Sequence, residues 1–407
     1  MKICIITATY HPYTHGGLES YALELVERLR ARGHKVDVIT RGERTAHLPD
    51  DGHGEIHQIR RRAFRQFLEV DRRLPGWMAT HLEELFSTQG SRAAREIIRR
   101  IKPDVVFSHG LYGFGRNMPQ TLAGLGIPWL HFVHSYALIC KGQTAMDRKG
   151  HPCARQCADC AFITRFKNGS SPLRDAIAIY NSAHMRNSHE AAGIVARETH
   201  IIDPVFSYKA PEVSATYSPG RPIRLAYVGR VSSEKGIELL CDAVEAESLS
   251  YRLDVIGAGP LLAKLERKHR GAPILFHGHV TPERRDELLT KSDALVAPSL
   301  WNEPYGRVIQ EGFLAGIPVI AADVGAMAGM VRDGVDGIVF RWRAGVELES
   351  LAGALAKAGM ALPALREGAL ETRKRLMGRD NFAFIEELLE RAAGKAVAAA
   401  TAGGGSL

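Results

Sequence analysis

The chain has 407 residues, of which 45% are hydrophobic and 24% charged, and 53 basic against 45 acidic side chains give a net charge of +8. This composition is ordinary for a soluble globular protein, and the length fits two domains of about 100–200 residues, large enough to bury two cores without disulfides or metal. No apolar run reaches the roughly 18–20 residues of a membrane-spanning helix, and the opening MKICIITATY is too short for a secretion signal, so the sequence predicts a cytoplasmic protein.

Short apolar strands alternate with amphipathic helices from end to end, which predicts α/β folding with parallel sheets. Lys2–Ala8 reads as the first strand. A turn, HPYTHGG, follows it, and then Leu18, Tyr21, Ala22, Leu25, Val26 and Leu29 repeat at helical spacing up to a stop at Gly33. Further strands are expected at Lys35–Thr40, Asp104–Ser108, Trp129–Val133 and Ala178–Tyr180. Residues 207–222, with three prolines and no apolar period, read as a linker between an N-terminal domain, 1–206, and a C-terminal domain, 223–377. In the latter, strands are expected at Arg224–Gly229, Arg252–Ile256, Ile274–His277, Ala294–Ala297 and Pro318–Ala321. Phe382, Ile385, Leu388 and Leu389 predict a last helix within 378–395, packed back towards the N-terminal domain. The tail 396–407, ending GGGSL, reads as disordered. Two doubly wound halves imply a cleft, with ligands at the carboxyl ends of the strands.

The most informative run is LWNEPYGRVIQEGFLAGIPVIAAD, Leu300–Asp323. Glu303 and Glu311 are seven residues apart, with Gly306 between them. A helix starting near Tyr305 would point the free N–H groups of Tyr305, Gly306 and Arg307 at an anion, with carboxylates on either side to accept from sugar or ribose hydroxyls. In the structural reading Glu303 merely caps the helix and Glu311 is solvated. In the N-terminal half, Gly16 and Gly17 open a helix directly after the first strand and allow close backbone approach to a ligand. His134 follows the strand WLHFV, whereas His131 lies inside it.

Four cysteines fall in 140–160: Cys140, Cys153, Cys157 and Cys160, spaced x12, x3 and x2. A structural tetrathiolate zinc site is the leading reading, with free thiols, a disulfide or an iron–sulfur centre the alternatives. Cys4 and Cys241 read as buried core residues. Ile59–Arg73 holds six arginines and two acids with Phe64, Phe67 and Leu68 interleaved. It fits peripheral contact with the inner face of an anionic membrane or, equally, a solvated helix face. No recognised nucleic-acid module accompanies the charge, so no nucleic-acid partner is expected.

The Glu-x7-Glu element, followed by Gly316, Pro318, Val319 and Ile320, resembles the signature of retaining GT-B glycosyltransferases of family 4. Gly229-Arg230, Glu234-Lys235-Gly236, VIGAGP (Val255–Pro260) and ALVAPS (Ala294–Ser299) fall in the order expected of that family. The resemblance covers most of the chain. It implies two Rossmann-like domains facing across a cleft, with the donor on the C-terminal one. It also implies that Arg230 and Lys235 hold the donor diphosphate, Glu303 the sugar hydroxyls, Glu311 the ribose, and the backbone of Tyr305, Gly306, Arg307 and Val308 sugar or phosphate. Gly16 and Gly17 would lie under the phosphates, His134 would reach the transferring sugar, and Asn181-Ser182 resembles a strand-end serine of the family. One departure is Gly325, Ala326 and Gly329 where the family usually carries an acid after Asp323. The implied partners are a nucleotide-sugar donor (UDP first, GDP second) and a glycan, lipid-linked or small-molecule acceptor, in bacterial polysaccharide or glycoconjugate assembly. No cofactor is implied for the chemistry. Two alternatives remain: a GT-B enzyme of sucrose-synthase or phosphorylase type, and a non-catalytic sugar-nucleotide-binding protein.

Overall fold

Strands buried on both faces read as continuous apolar runs, and such runs build the two sheets of this chain. The computed structural model describes residues 1–11, 17–49, 54–61, 82–147, 151–206, 210–213, 221–341 and 347–394. The chain divides into two units: residues 1–143, 155–206 and 380–407 form one, and residues 144–154 and 207–379 the other. Gly16, residues 62–73 of the basic run, much of the expected linker and the tail lie outside the described residues.

The first unit holds β1 (Lys2–Ile6), β2 (Lys35–Gly42), β3 (Ala46–Pro49), β4 (Glu55–Arg60), β5 (Val105–Ser108), β6 (Trp129–Val133), β7 (Ile177–Tyr180) and β8 (Glu198–Ile201). Their order is β3-β4-β2-β1-β5-β6-β7-β8, parallel except for β3, which runs antiparallel to β4. Helix α1 (Gly17–Ala31) buries Tyr21, Ala22, Leu25, Val26 and Leu29 on this sheet, one stripe at three- and four-residue spacing. It stops where Gly33 takes φ +83° and the His34 N–H returns to the Leu29 carbonyl. Four further helices of this unit are α2 (Gln89–Ile101), α3 (Met118–Ala123), α4 (Ala158–Asn168) and α5 (Ala183–Ala191).

The second unit holds β9 (Ile223–Val228), β10 (Tyr251–Ile256), β11 (Ile274–Gly278), β12 (Ala294–Ala297), β13 (Val319–Ala322) and β14 (Gly337–Phe340). The order is β11-β10-β9-β12-β13-β14, all parallel. Crossovers are made by α6 (Ile237–Ala246), α7 (Leu262–Lys268), α8 (Pro282–Thr290) and α9 (Arg307–Leu314), and α10 (Glu347–Met377) follows β14. The last helix, α11 (Asn381–Ala392), belongs to the first unit, where Phe382, Ile385, Leu388 and Leu389 join the core around Tyr21 and Phe206. The reading of 140–160 as one insertion in the N-terminal domain needs correcting, because residues 144–154 group with the second unit. Their physical anchor there is Asn302, whose Nδ2 donates to the Ala145 carbonyl at 3.0 Å and to that of Cys153 at 3.4 Å. Among the described residues no helix is long and apolar enough to cross a membrane.

In each sheet the chain reverses direction of growth at one place: between β1 and β5 in the first unit, and between β9 and β12 in the second. Loops after these strands diverge and leave room for a ligand. In the second unit the loops after β9 and its neighbour β10 are pressed together at glycines. Gly257 has φ +139°, and a Cβ built there would stand 1.9 Å from the Gly229 carbonyl oxygen. Gly257→Ala is therefore expected to lower stability by about 1–3 kcal/mol through strain. Gly353→Ala is the control: this exposed position in α10 has nothing within 4 Å of a built Cβ, and alanine there is expected to add about 0.5–1 kcal/mol. Urea unfolding of the two variants beside the parent checks the pair; equal effects would refute the packing argument.

Candidate active site

In the second unit the loops after β9 and β12 meet at the reversal point. The chain leaves β9 through Gly229 and Arg230 and forms one tight turn, Ser233–Lys235, which ends at Gly236 with φ +68°. A Cβ on Gly236 would stand 1.9 Å from the Pro298 carbonyl oxygen, so the two loops touch through backbone alone. The Leu300 N–H then donates to the Glu234 carbonyl at 2.9 Å. This contact carries Lys235 to Glu303: the ammonium donates to Glu303 Oε1, which also accepts from Ser299 Oγ at 3.0 Å. Both side chains are partly buried, with 26% of Lys235 and 14% of Glu303 exposed, so the pair is shielded yet reachable.

The backbone of Glu303 is clamped from the other side. Gly325, at φ +64°, leaves only 2.4 Å between a built Cβ and the Glu303 nitrogen, and the Ala326 N–H donates to the Glu303 carbonyl at 2.8 Å. The Lys235 ammonium lies 5.1 Å from the centre of the Trp301 ring. The indole N–H of Trp301 is buried and has no hydrogen-bond partner among the described residues. Such a donor is expensive to leave unmet. Tyr227 is held neutral: burial, then the Glu303 and Glu234 carboxylates, push its phenol far above its usual range, and its hydroxyl donates to the Arg230 carbonyl at 2.7 Å. The Arg230 side chain is exposed and makes no ion pair among the described residues.

Helix α9 starts at Arg307 with Gly306 as its N-cap, two residues later than the sequence suggests. The leading helical N–H groups are thus those of Arg307 and Val308, and Tyr305 and Gly306 belong to the approach loop. Gly306 sits at φ −116° and ψ 65°, outside the helical region, and a Cβ on it would crowd Ile309, Met327 and Met330 at 3.0–3.3 Å, so this approach is one that glycine fits. Glu311 sits in the second turn of α9, 3.2 Å from Arg285 and 3.7 Å from Arg307. Burial pushes its carboxyl above the usual range, against the pull of both arginines.

In the first unit, the reversal point places His109 directly after β5, and His134 directly follows β6. His109 Nδ1 and His134 Nε2 are 3.3 Å apart. His134 stacks on Phe132 at 4.1 Å between centroids and meets Tyr21 edge-on at 5.3 Å. Burial, with His131 nearby, lowers His134 to about 3, and burial, with His134 and His131 nearby, also lowers His109 and holds it neutral. His131 is structural: its Nδ1 lies 2.8 Å from Ser108 Oγ, which accepts from the Trp129 indole at 2.7 Å. Ser182 caps α5 by accepting from the Met185 N–H at 3.1 Å. Gly17 is the first residue of α1.

The basic run also needs correcting at its described end. Arg61 is 1% exposed and lies 3.7 Å from Glu83 and 3.9 Å from Glu84, so this arginine does not face a membrane. Cys140, Cys157 and Cys160 lie in the first unit and Cys153 in the second; all are free thiols. Among the described residues, two groups of three metal-capable side chains have all ligand atoms within 4.8 Å of one another: His34, Glu386 and Glu390, and Asp242, Glu245 and His269. Neither includes a cysteine. In the first group Arg32 pairs with Glu386 at 3.1 Å, and in the second Lys268 pairs with Asp242, so both clusters already hold a cation of the chain.

Sequence reasoning missed His109, Trp301 and Asn302. His109 carries the same signal that singled out His134, a histidine one residue past a buried strand. Trp301 and Asn302 are adjacent to Glu303, but their partners lie far away in sequence.

Neutral buried histidines make the first unit acid-sensitive. His131 and His189 are lowered to about 3 and about 4 by burial. Below about pH 6.5 the unfolded chain binds protons that the folded chain refuses, so stability falls with pH by about 1.4 kcal/mol per unit for each such histidine. The urea midpoint is expected to drop from pH 7 to pH 5, and His131→Asn to flatten that slope by about one proton; an unchanged slope would remove His131 from the account.

Comparison with known proteins places these features. Residues 15–205 match the family described as Glycosyltransferase Family 4, and residues 222–358 match Glycosyl transferases group 1. An uncharacterised glycosyltransferase of Methanocaldococcus jannaschii is 26% identical over 356 residues, 83% of this chain and 84% of its own length. The D-inositol 3-phosphate glycosyltransferase of Rhodococcus erythropolis is 25% identical over 365 residues, covering 84% of this chain and 78% of its own. Among solved structures, Anabaena HepE in complex with UDP superposes with a TM-score of 0.63 at 16% identity, over 97% of this chain and all of that one. That likeness shows the fold.

Proposed function

Because the chain belongs to the family 4, group 1 glycosyltransferases and has their GT-B fold, we propose that it transfers a sugar from a nucleoside diphosphate donor, with retention of anomeric configuration. UDP is the favoured nucleotide and GDP the second; the UDP bound to Anabaena HepE supports that order. The acceptor is a glycan, lipid-linked or small-molecule hydroxyl in polysaccharide or glycoconjugate assembly.

The observation that carries this reading is the Lys235–Glu303 pair at the reversal point of the second sheet, beside the unmet Trp301 N–H. A donor diphosphate competes with Glu303 for Lys235. When it wins, the ammonium neutralises a phosphate oxygen, and the carboxylate is released to accept from sugar hydroxyls. Arg230, exposed one turn earlier, adds a planar fork for the same phosphates. Charge grows on the leaving diphosphate as the sugar gains oxocarbenium character, and fixed cations aimed there lower the barrier. In this reading the leaving phosphate oxygen takes the proton of the acceptor hydroxyl, and His134 contacts the transferring sugar. Glu311, held between Arg285 and Arg307 on α9, accepts from the ribose hydroxyls.

Lys235→Ala is expected to lose on the order of 2–4 kcal/mol of transition-state stabilisation, which lowers kcat/KM by about 30- to 1,000-fold. Turnover close to the parent's in a folded variant would sink the assignment. The two carboxylates should separate in calorimetry. Glu303→Gln lowers turnover while retaining UDP affinity, whereas Glu311→Gln weakens UDP itself by roughly 1–3 kcal/mol. Equal loss of UDP affinity in both, with turnover retained, refutes the division. Assay of nucleotide release from a donor panel, with and without acceptors, tests transfer against binding without turnover.

A further inference from the structure

Glu311 is held by a side chain of another helix, and that side chain is itself anchored. The run Thr281-Pro282 opens α8 just after β11: Thr281 is the N-cap, its hydroxyl accepting from the Arg284 N–H at 3.3 Å, and Pro282 stands in the first turn, where no intrahelical N–H is needed. Arg285 therefore lies in the first turn of α8, with its N–H donating to the Thr281 carbonyl at 2.9 Å. This is the carboxyl end of the sheet, the end at which such folds bind ligands. The guanidinium of Arg285 is fastened to Asp286, whose Oδ1 accepts from Nε at 2.9 Å and from Nη2 at 2.8 Å. The remaining nitrogen, Nη1, donates to Glu311 Oε1 at 3.2 Å.

A second cation, Arg307, stands one turn before Glu311 on α9, and the two arginines are not equivalent. The Arg307 side chain is 56% exposed and its Nε lies 3.7 Å from Glu311 Oε1, whereas that of Arg285 is 27% exposed and within hydrogen-bond distance. An exposed pair four residues apart on one helix holds little, while a charge-assisted hydrogen bond to a shielded carboxylate fixes its orientation. Both cations approach Oε1, and Oε2 accepts no hydrogen bond among the described residues. Glu311 thus presents one tied oxygen and one open one. An ionised carboxylate only accepts, so the open oxygen matches a hydroxyl and nothing that lacks a donor.

We propose that Arg285 is the positioning residue that makes Glu311 select ribonucleotides over deoxyribonucleotides. Its bond to Oε1 sets the plane of the carboxylate and leaves Oε2 as the acceptor offered to a ribose hydroxyl. This role rests on the reading of Glu311 as the ribose contact and extends it to a choice between nucleotides. A ligand without the hydroxyl leaves Oε2 unmet in a shielded place, and sites built to bond a hydroxyl reject such analogues for that reason. Charge works in the same direction. The charged groups that act on Glu311 are Arg285, Arg307 and Asp286; burial pushes its carboxyl up, and the arginines pull against that rise. Without Arg285 the carboxyl turns about its bond and keeps a proton more readily, and a protonated carboxyl no longer discriminates by accepting alone.

Calorimetry on the full chain with UDP, 2′-deoxy-UDP and 3′-deoxy-UDP tests it. The parent is expected to bind UDP more tightly than at least one of the deoxy analogues by about tenfold or more. Arg285→Met should weaken UDP by about tenfold and leave that analogue within about threefold, so that the preference falls towards one. Arg285→Lys, which restores a donor and a charge, should give an intermediate preference. Arg284→Gln, an exposed neighbour paired with Glu287, should keep the parent's values. If the parent shows no preference for UDP, or Glu311→Gln keeps it, the ribose reading of Glu311 fails, and the role of Arg285 with it. If Glu311→Gln loses the preference and folded Arg285→Met retains it, Arg285 alone is overturned. Equal weakening of UDP and both analogues in Arg285→Met, or loss of the preference in Arg307→Gln and not in Arg285→Met, overturns it as well.

Discussion

The contact between Lys235 and Glu303 depends on glycine more than on charge. Attraction between a partly exposed ammonium and carboxylate is weak and easily screened. What holds these two in one geometry is that their loops approach backbone to backbone: Gly236 against Pro298 on one side, Gly325 against Glu303 on the other. Both glycines are at positive φ, +68° and +64°, and any side chain at either would drive the loops apart. The carboxyl ends of β9 and β12 therefore arrive already aligned, and a ligand need not order them. A weak pair on a rigid frame can exchange partners. A strong buried pair could not, because removing either ion would leave its partner stranded.

The first unit contains the opposite case. Arg41 and Arg61 are 2% and 1% exposed, and they share Glu83 and Glu84 with Lys167. Burial lowers Arg41 to about 10, despite the nearby glutamates. Glu84 receives the N–H groups of Gly113 and Gly115 besides its cations, so the loop after β5 is fixed by a charge that has no water to turn to. Such a network specifies one arrangement of the strand ends and resists exchange. The chain thus places fixed charge in the first unit and exchangeable charge in the second.

How far the sequence foretells this is decided by the range of the interactions. Trp129–Val133 and Ala294–Ala297 are foreseen to the residue because a short apolar run between polar turns has one reading. The start of α9 is missed by two residues because Gly306 sits at φ −116° and ψ 65°, off the helical region, and the spacing of side chains does not mark a backbone angle. Glu303 and Glu311 stand out by their spacing about Gly306, whereas Lys235 stands out only through the resemblance to the family's motif. Asn302 does not, since its partners Ala145 and Cys153 lie about 150 residues away and offer only carbonyl oxygens, which every residue has. Arg61 shows the same limit in reverse. In an arginine-rich run it looks solvated, and only the fold brings Glu83 and Glu84 to it.

The neutrality of the histidine pair decides what its rings can offer. Burial against Phe132 and Tyr21 keeps His134 uncharged throughout the neutral range. His109 then decides which nitrogen of His134 bears the proton. The second ring nitrogen of His109, Nε2, is buried without a partner among the described residues. An unmet lone pair is cheaper there than an unmet N–H, so His109 is best protonated on Nδ1 and donates to His134 Nε2 at 3.3 Å. His134 must in turn carry its hydrogen on Nδ1, as a neutral donor. A ring so constrained offers a ligand one hydrogen-bond donor and brings no charge with it, a property that follows from burial and from the position of its neighbour rather than from the histidine itself.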